Sequence, residues 1–235
     1  MAPISARSGC NLLFNAIAEN GGSDFRLHAK TVHIEAGTVL CNAGDRMRHA
    51  VFPVSCVLAT VATLSDGSTL EVNVIGREAA HGLLAGVGSG EVAARVVALV
   101  GGTAERTPMR LVRNEFERSA CVRAVMVRHF ENMLFQMQQS AVCAARHSVE
   151  ERLCRWLLTI RDRSASDTLR FTHEFAAGHL GANRSSVTLA AAALQKAGLI
   201  AYRRGALTIC DRPGLEEAVC ECYGTIRDRL HRLFA

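Results

Sequence analysis

Residues 171–209 (FTHEFAAGHLGANRSSVTLAAAALQKAGLIAYRRGALTI) constrain the fold more than any other stretch of this chain. Thr172 suits the N-cap of a short helix whose periodic positions are Phe175, Ala176, His179 and Leu180. Gly181 and Ala182 then make a tight turn, and Asn183 can cap a second helix, from 184 to about 197. Its buried stripe is Val187, Ala190, Ala191 and Leu194, at the three- and four-residue spacing of one helical face. Two helices joined by a short turn containing glycine form a helix-turn-helix. Gly198 ends the second helix. Residues 199–202 and 206–210 read as two short strands, with Arg203, Arg204 and Gly205 as the turn between them, which makes the unit a winged helix.

The chemistry of this unit suits a polyanion. Arg184, Ser185, Ser186 and Thr188 occupy the opening turns of the second helix, the end of a recognition helix that meets base edges and phosphates in the major groove. Leu189 and the methyl of Thr188 can touch a thymine methyl. Arg203 and Arg204 stand at the wing, where a phosphate backbone would pass. Between residues 179 and 210 the cations are Arg184, Lys196, Arg203 and Arg204, and there is no Asp or Glu. Such a local absence of carboxylates matters more for binding DNA than total charge. The plainer alternative is a helical hairpin with a solvated basic face.

Composition sets a mild frame. The 235 residues suffice for one or two domains with their own cores, and a net charge of +5 permits nucleic-acid contact without requiring it. No apolar run approaches the length of a membrane span, and the opening residues MAPISARSGC lack the pattern of a secretory signal, so the expectation is a cytoplasmic protein with no membrane partner.

From 31 to about 98 the texture changes to short Val-, Thr-, Ile- and Leu-rich runs broken by Gly and Asp. Asp66-Gly67 between alternating runs is a hairpin signal, and Gly37, Gly44, Gly67, Gly76 and Gly82 recur at strand-and-turn spacing. These features predict a small antiparallel β-roll or barrel. Further strands are expected at 95–99 and near 105–108, with a helix beginning around 113–117. A single long helix follows, over 121–147. Its heptads place Phe130, Met137 and Ala144 at one core position and Met126, Met133, Ser140 and His147 at the other, which reads as a dimer seam; the alternative is a long helix lying on its own barrel. A helix at 149–161 turns Leu153, Trp156, Leu157 and Ile160 to a core, and 162–167 is a polar loop. Past the wing, Asp211 can cap one terminal amphipathic helix with the stripe Leu215, Ala218, Val219, Cys222, Ile226, Leu230 and Leu233, expected to pack on the winged unit. The fold class is therefore α+β. The expected domains are 1–120 (barrel with flanking helices), 121–147 (dimerisation helix) and 148–235 (winged helix-turn-helix with the added helix).

Nine cysteines stand at 10, 41, 56, 121, 143, 154, 210, 220 and 222. None forms a C-x-x-C pair, and Cys220 and Cys222 on one helix would point to different faces, so no metal ligands are assigned; buried structural thiols are expected, with a redox-responsive thiol as the alternative. No cofactor is assigned either. Two readings of other classes compete with a DNA-binding one. A cupin-type enzyme would use His28, His33, His49 and His81 as metal ligands, but it lacks a close His-x-His followed by a carboxylate. A signalling module with a non-functional helix-turn-helix fits poorly with Arg184 and the basic wing.

A barrel, a long helix and a winged helix in that order resemble the cyclic-AMP receptor protein/fumarate-nitrate regulator (Crp/Fnr) family. The resemblance spans about 25–210. It rests on residues 171–176, Leu180-Gly181, residues 184–188 and 198–200, and, in the barrel, on residues 34–37, Gly44-Asp45 and Phe52-Pro53. It implies a homodimeric regulator without enzymatic activity that binds double-stranded DNA at near-palindromic operators and contacts RNA polymerase, with a cyclic-nucleotide-binding-like barrel. Family members that bind cyclic AMP carry a Gly-Glu-Leu segment followed by Arg-Ser. Here Ala80-His81-Gly82 and Glu91-Val92 stand at those places, which implies that cyclic nucleotides do not bind and leaves the effector unassigned. The iron-sulfur members need several amino-terminal thiolates, and only Cys10 lies there. In the recognition helix, Ser185 and Leu189 replace the family's Glu and second Arg, so the operator should differ from the familiar one.

Overall fold

A computed structural model describes residues 9–164 and 166–234, with backbone only at Ser23, Leu233 and Phe234. The expected start of the first domain, Ala165 in the polar loop and the side chain of Leu233 thus lie outside the described residues. Helices α1 (Leu12–Glu19) and α2 (Ser23–His28) precede the strands β1 (Lys30–Ile34), β2 (Val39–Cys41), β3 (His49–Pro53), β4 (Val57–Thr63) and β5 (Thr69–Ile75). After the short helix α3 (Leu83–Val87) come β6 (Arg95–Val100) and β7 (Gly102–Pro108). They form two antiparallel sheets, ordered β2-β6-β4-β5 and β1-β7-β3, closing the expected roll. The Asp66-Gly67 turn joins β4 to β5: the Asp66 carboxylate accepts from the Ser68 backbone at 2.8 Å, and Gly67 takes φ 83.

Asn11 sews the first helix to the roll. Its carbonyl oxygen accepts from the Phe14 N–H, capping α1, while its amide donates to the carbonyls of Pro53 and Ala79, all at 2.8 Å. Phe14, Phe25 and Phe52 then pack edge-to-face with centroids 5.1–6.2 Å apart.

Helix α4 (Met109–Arg118) begins directly at the end of β7, earlier than expected, with Pro108 at its N-cap. The long helix α5 (Ala120–Arg146) agrees with the sequence in extent but not in rotation. It has three faces. Val122, Val125, Met126, His129, Asn132 and Gln136 are buried within this chain. Met126, expected in the dimer seam, is wholly buried in the barrel-side core beside Phe25 and Phe52, so it has no surface to offer a second copy. Phe130, Met133, Met137 and Ala144 are partly exposed. The open apolar stripe consists of Val127, Phe130, Leu134, Met137 and Ala141, one position round from the expected one at alternate heptad places.

Helix α6 (Val149–Ser164) crosses back to the roll. Arg163 donates to the buried Glu78 carboxylate at 2.6 Å and to the Gln136 side chain at 3.0 Å, locking α6 to the roll and to α5. The winged unit follows as β8 (Thr168–Arg170), α7 (His173–Leu180), α8 (Arg184–Lys196), β9 (Ile200–Arg203) and β10 (Ala206–Ile209), its sheet ordered β8-β10-β9. One apolar cluster runs from β4, β5 and β6 through Trp156 and Leu157 of α6 to Val187, Leu194 and Leu207. Within it the buried Glu71 carboxylate of β5 accepts from Trp156 Nε1 at 3.1 Å and pairs with His179 Nδ1 at 2.8 Å.

The carboxy-terminal segment departs from expectation. It is not one helix but two, α9 (Arg212–Ala218) and α10 (Cys222–Phe234), separated by an extended Val219 at φ −83, ψ 149. Asp211 caps α9 as expected, accepting from the Gly214 N–H at 3.0 Å. Arg212 and Tyr223 both bond Asp162, at 2.6 and 2.7 Å, which fixes both new helices to α6. Helix α10 then lies along α5, where Arg229 covers the Phe135 ring at 4.4 Å. Among the described residues no helix is long and apolar enough to cross a membrane.

Candidate nucleic-acid interface

The helix-turn-helix is built as its sequence requires. The Thr172 hydroxyl accepts from the Phe175 N–H at 3.1 Å, starting α7. Gly181 ends it at φ 57, and a Cβ there would also sit 2.8 Å from Leu70 of β5. Only glycine meets both conditions. Val187, Ala190, Ala191 and Leu194 are buried, as the periodicity demanded, which turns the opposite side of α8 outward. Asn183 holds the N-cap position of α8, but its side chain makes no capping bond, contrary to expectation, and it stays exposed.

The outward residues divide by what their polar atoms already do. Arg184 and Ser185 are exposed and Ser186 half-buried, with no hydrogen-bond partner for their side chains among the described residues. Thr188 differs. Its hydroxyl donates to the Arg184 carbonyl at 2.9 Å and lies 3.1 Å from His173 Nδ1, so its one O–H is already spent within the chain and its methyl has no such partner. Leu189 is 73% exposed, an apolar group that no described residue covers.

The wing is tighter than the sequence suggested. Arg203 belongs to β9 and pairs with Ala206, leaving Arg204-Gly205 as a two-residue turn with φ 50 and φ 82. Positive φ at both central residues marks a type I′ hairpin. Arg204 is the one non-glycine residue with positive φ among those described. That conformation costs about 1 kcal/mol or more, which the turn must supply. Sequence reasoning missed a third cation. The short β8 pairs Arg170 with Ala206, so Arg170 and Arg203 flank Ala206 in one cross-strand row. A strand of three residues, Thr168-Leu169-Arg170, carries too little alternation to be seen beforehand. Arg170, Arg184, Arg203 and Arg204 are all exposed, with no ion-pair partner among the described residues.

Residues 151–218 match the family model of the Crp-like helix-turn-helix domain. This unit is a Crp-like helix-turn-helix domain. Among curated proteins none matches the chain. Among solved structures, a protein from Eubacterium rectale described as a transcriptional regulator of the Crp/Fnr family is 20% identical, covers 84% of this chain and 93% of its own, and superposes with a TM-score of 0.68. FixK2 from Bradyrhizobium japonicum is 13% identical over 82% of this chain and 98% of its own, with a TM-score of 0.67. The c-di-GMP-responsive regulator CLP from Xanthomonas campestris is 16% identical over 81% of this chain and 99% of its own, with a TM-score of 0.64. The chain therefore has the Crp/Fnr fold: a cyclic-nucleotide-binding-like roll, a long helix and a carboxy-terminal Crp-like helix-turn-helix.

In the roll, the residues singled out by comparison with cyclic-AMP-binding members take unequal places. His81 points inward, its Nε2 3.3 Å from the Cys41 sulfur. Burial lowers its pKa to about 4, and burial likewise pushes Cys41 up to about 11, so both are neutral. Glu91 is exposed and its backbone bridges Arg46, so it does not face a buried phosphate site as the sequence comparison suggested. Arg95 is exposed as well. The interior is filled by Ile34, Val51, Leu58, Ile75, Val92 and Val96 with their neighbours. The four histidines of the cupin alternative are not gathered: His28 and His33 are exposed, His49 pairs with Arg106 at 3.0 Å, and only His81 turns inward.

Proposed function

We propose that this chain is a homodimeric, sequence-specific DNA-binding transcription regulator that performs no chemistry and does not respond to cyclic nucleotides. One observation carries it: a Crp-like helix-turn-helix presents Arg184, Ser185 and Ser186 on an uncovered helix end, beside a cation row of Arg170, Arg203 and Arg204, with no carboxylate between residues 179 and 210. Arg184 would meet a guanine or a phosphate, and Ser185 and Ser186 base edges or backbone. Leu189 with the Thr188 methyl would pack on thymine methyls, and the wing arginines would hold phosphates. Two copies joined along α5 would set two recognition helices about one DNA turn apart. RNA polymerase is the further partner of this reading, and residues 1–120, 121–147 and 148–235 are its sensor, dimerisation and DNA-binding parts.

The insensitivity to cyclic nucleotides rests on the roll interior. An apolar cluster with a neutral histidine offers no cation to a cyclic phosphate, and an unpaired buried anion is costly. The test selects bound duplexes from genomic DNA with the purified protein and then compares Arg184→Ala. Loss of the selected sequences with the dimer intact is expected. Unchanged affinity for them would refute the role of Arg184, and micromolar titration of cyclic AMP or cyclic GMP into the protein would refute the statement about the roll.

A further inference from the structure

Four metal-ligating side chains converge where α5 ends and α10 begins. Cys143 and His147 lie four residues apart on one face of α5, with His147 at its C-cap. Cys220 sits in the break between α9 and α10, and Cys222 opens α10. Their donor atoms all lie within 4.8 Å of one another. The Cys143 and Cys220 sulfurs are 3.7 Å apart, and the Cys222 sulfur is 3.5 Å from His147 Nδ1. Two thiolates on a tetrahedral zinc with Zn–S of about 2.3 Å stand about 3.8 Å apart. The three sulfurs are buried and the histidine half-buried, so the set is closed to solvent on most sides.

From this geometry we propose that Cys143, His147, Cys220 and Cys222 bind a single zinc ion, as a closed, four-coordinate Cys3His site. Binding releases the protons still held by the three thiols, and neutral His147 offers its Nδ1 lone pair. Surrounding groups fit that role. His147 Nε2 lies 3.2 Å from the Glu221 carboxylate, which places the ring hydrogen on Nε2 and leaves Nδ1 free for the metal. A carboxylate behind a ligating histidine is the usual outer partner of zinc. The Gln139 amide donates to the Cys222 sulfur at 3.1 Å. Three thiolates, one imidazole and Zn2+ sum to one negative charge, and Arg152 and Arg155 of α6 both act on the Cys143 sulfur. Arg155 Nε is buried with no hydrogen-bond partner among the described residues. Four donors gathered this closely enclose one ion rather than a cluster whose ligands divide between two irons. A disulfide between Cys143 and Cys220 would leave His147, Cys222 and their outer partners without a task.

The site clasps the break before α10 to the joint between α5 and α6. Metal binding is independent of the regulator reading; only its consequence for DNA affinity rests on that reading, through the orientation of the winged unit on α5. The test measures metal content in full-length protein purified under reducing conditions, then replaces the ion with Co2+. One zinc per chain is expected, with thiolate-to-cobalt charge-transfer absorption and intense tetrahedral ligand-field bands. Cys220→Ser should lose both. Glu221→Gln supplies a second arm that does not depend on the folding of Cys220→Ser: intact protein with zinc affinity lowered about 10- to 100-fold. Cys56→Ser, a buried thiol outside the cluster, should keep full metal content. Absence of zinc together with absence of cobalt charge transfer would overturn the proposal. So would iron with sulfide in place of zinc, or a Cys143–Cys220 disulfide whose reduction yields no zinc uptake.

Discussion

The wing offers a quantitative test, because phosphate contacts leave their number in the salt dependence of binding. The perturbation is Arg203→Ala combined with Arg204→Asn. Asparagine is chosen at 204 because that residue sits at φ 50, where Asn is tolerated better than Ala, so the hairpin with Gly205 should survive. Both guanidinium groups are exposed and unpaired among the described residues, so no folded-state ion pair is lost with them. Each phosphate contact contributes about 0.9 to the slope of log affinity against log salt, and a dimer with two such contacts per subunit should show a slope shallower by about 3.6 in the variant. Between about 50 and 200 mM salt, wild-type affinity should then fall about 150-fold more than that of the variant. Fluorescence anisotropy on a duplex of arbitrary sequence suffices, since the wing reads phosphates rather than bases. A correctly folded variant with the wild-type slope would show that the wing does not touch DNA. A slope shallower by half would leave one arginine on the backbone, and Arg170 is then the next residue to replace.

Three further outcomes are expected. Leu134→Lys, at a position 57% exposed on α5, should keep the fold but shift the protein to monomer in sedimentation, whereas Met126→Lys should unfold the barrel-side core; a stable Leu134→Lys dimer would move the interface off this stripe. Glu71→Ala leaves Trp156 Nε1 and His179 Nδ1 buried without their acceptor and should cost about 3 kcal/mol in urea unfolding; a cost below about 1 kcal/mol would mean that water replaces the carboxylate. His81 and His129 are buried with pKa values lowered to about 4, chiefly by desolvation. The unfolded chain therefore takes up protons first, and stability should fall as pH drops from about 6.5 to 4, by on the order of 3 kcal/mol per histidine. Urea midpoints that stay flat across that window would refute the assignment.

Much of the fold was legible because its signals are local. The β4–β5 hairpin follows from alternation around Asp66-Gly67, and the α8 stripe from one helical period. The long helix was legible in length but misjudged in rotation, for a physical reason. Its inward face includes His129, Asn132 and Gln136, polar residues that a hydrophobic-period reading assigns to solvent. Discarding them shifted the apolar stripe by one residue and gave Met126 to a partner when it belongs to this chain's own core. Of the candidate interface, the exposure of Arg184, Ser185, Arg203 and Arg204 and the partial exposure of Ser186 follow from the buried stripe and the turn read in the sequence. The engagement of the Thr188 hydroxyl does not, since it depends on His173 fifteen residues away across the turn.

The cysteine cluster shows where linear spacing stops being informative. Each half carried its own signal: Cys143 and His147 at i, i+4 on a helix, and Cys220 and Cys222 two residues apart. Zinc motifs are recognised when both pairs are close in sequence, whereas here 72 residues lie between His147 and Cys220. On a continuous helix Cys220 and Cys222 would point about 200° apart, the premise that dismissed them. The extended Val219 removes that premise, because it ends α9 and lets both thiols turn toward α5. What brings the halves together is the return of α10 along α5, held by the Asp162–Arg212–Tyr223 bonds and by Arg229 over Phe135. The site is thus a product of tertiary packing: its ligands become neighbours only because the last helix lies back across the long one.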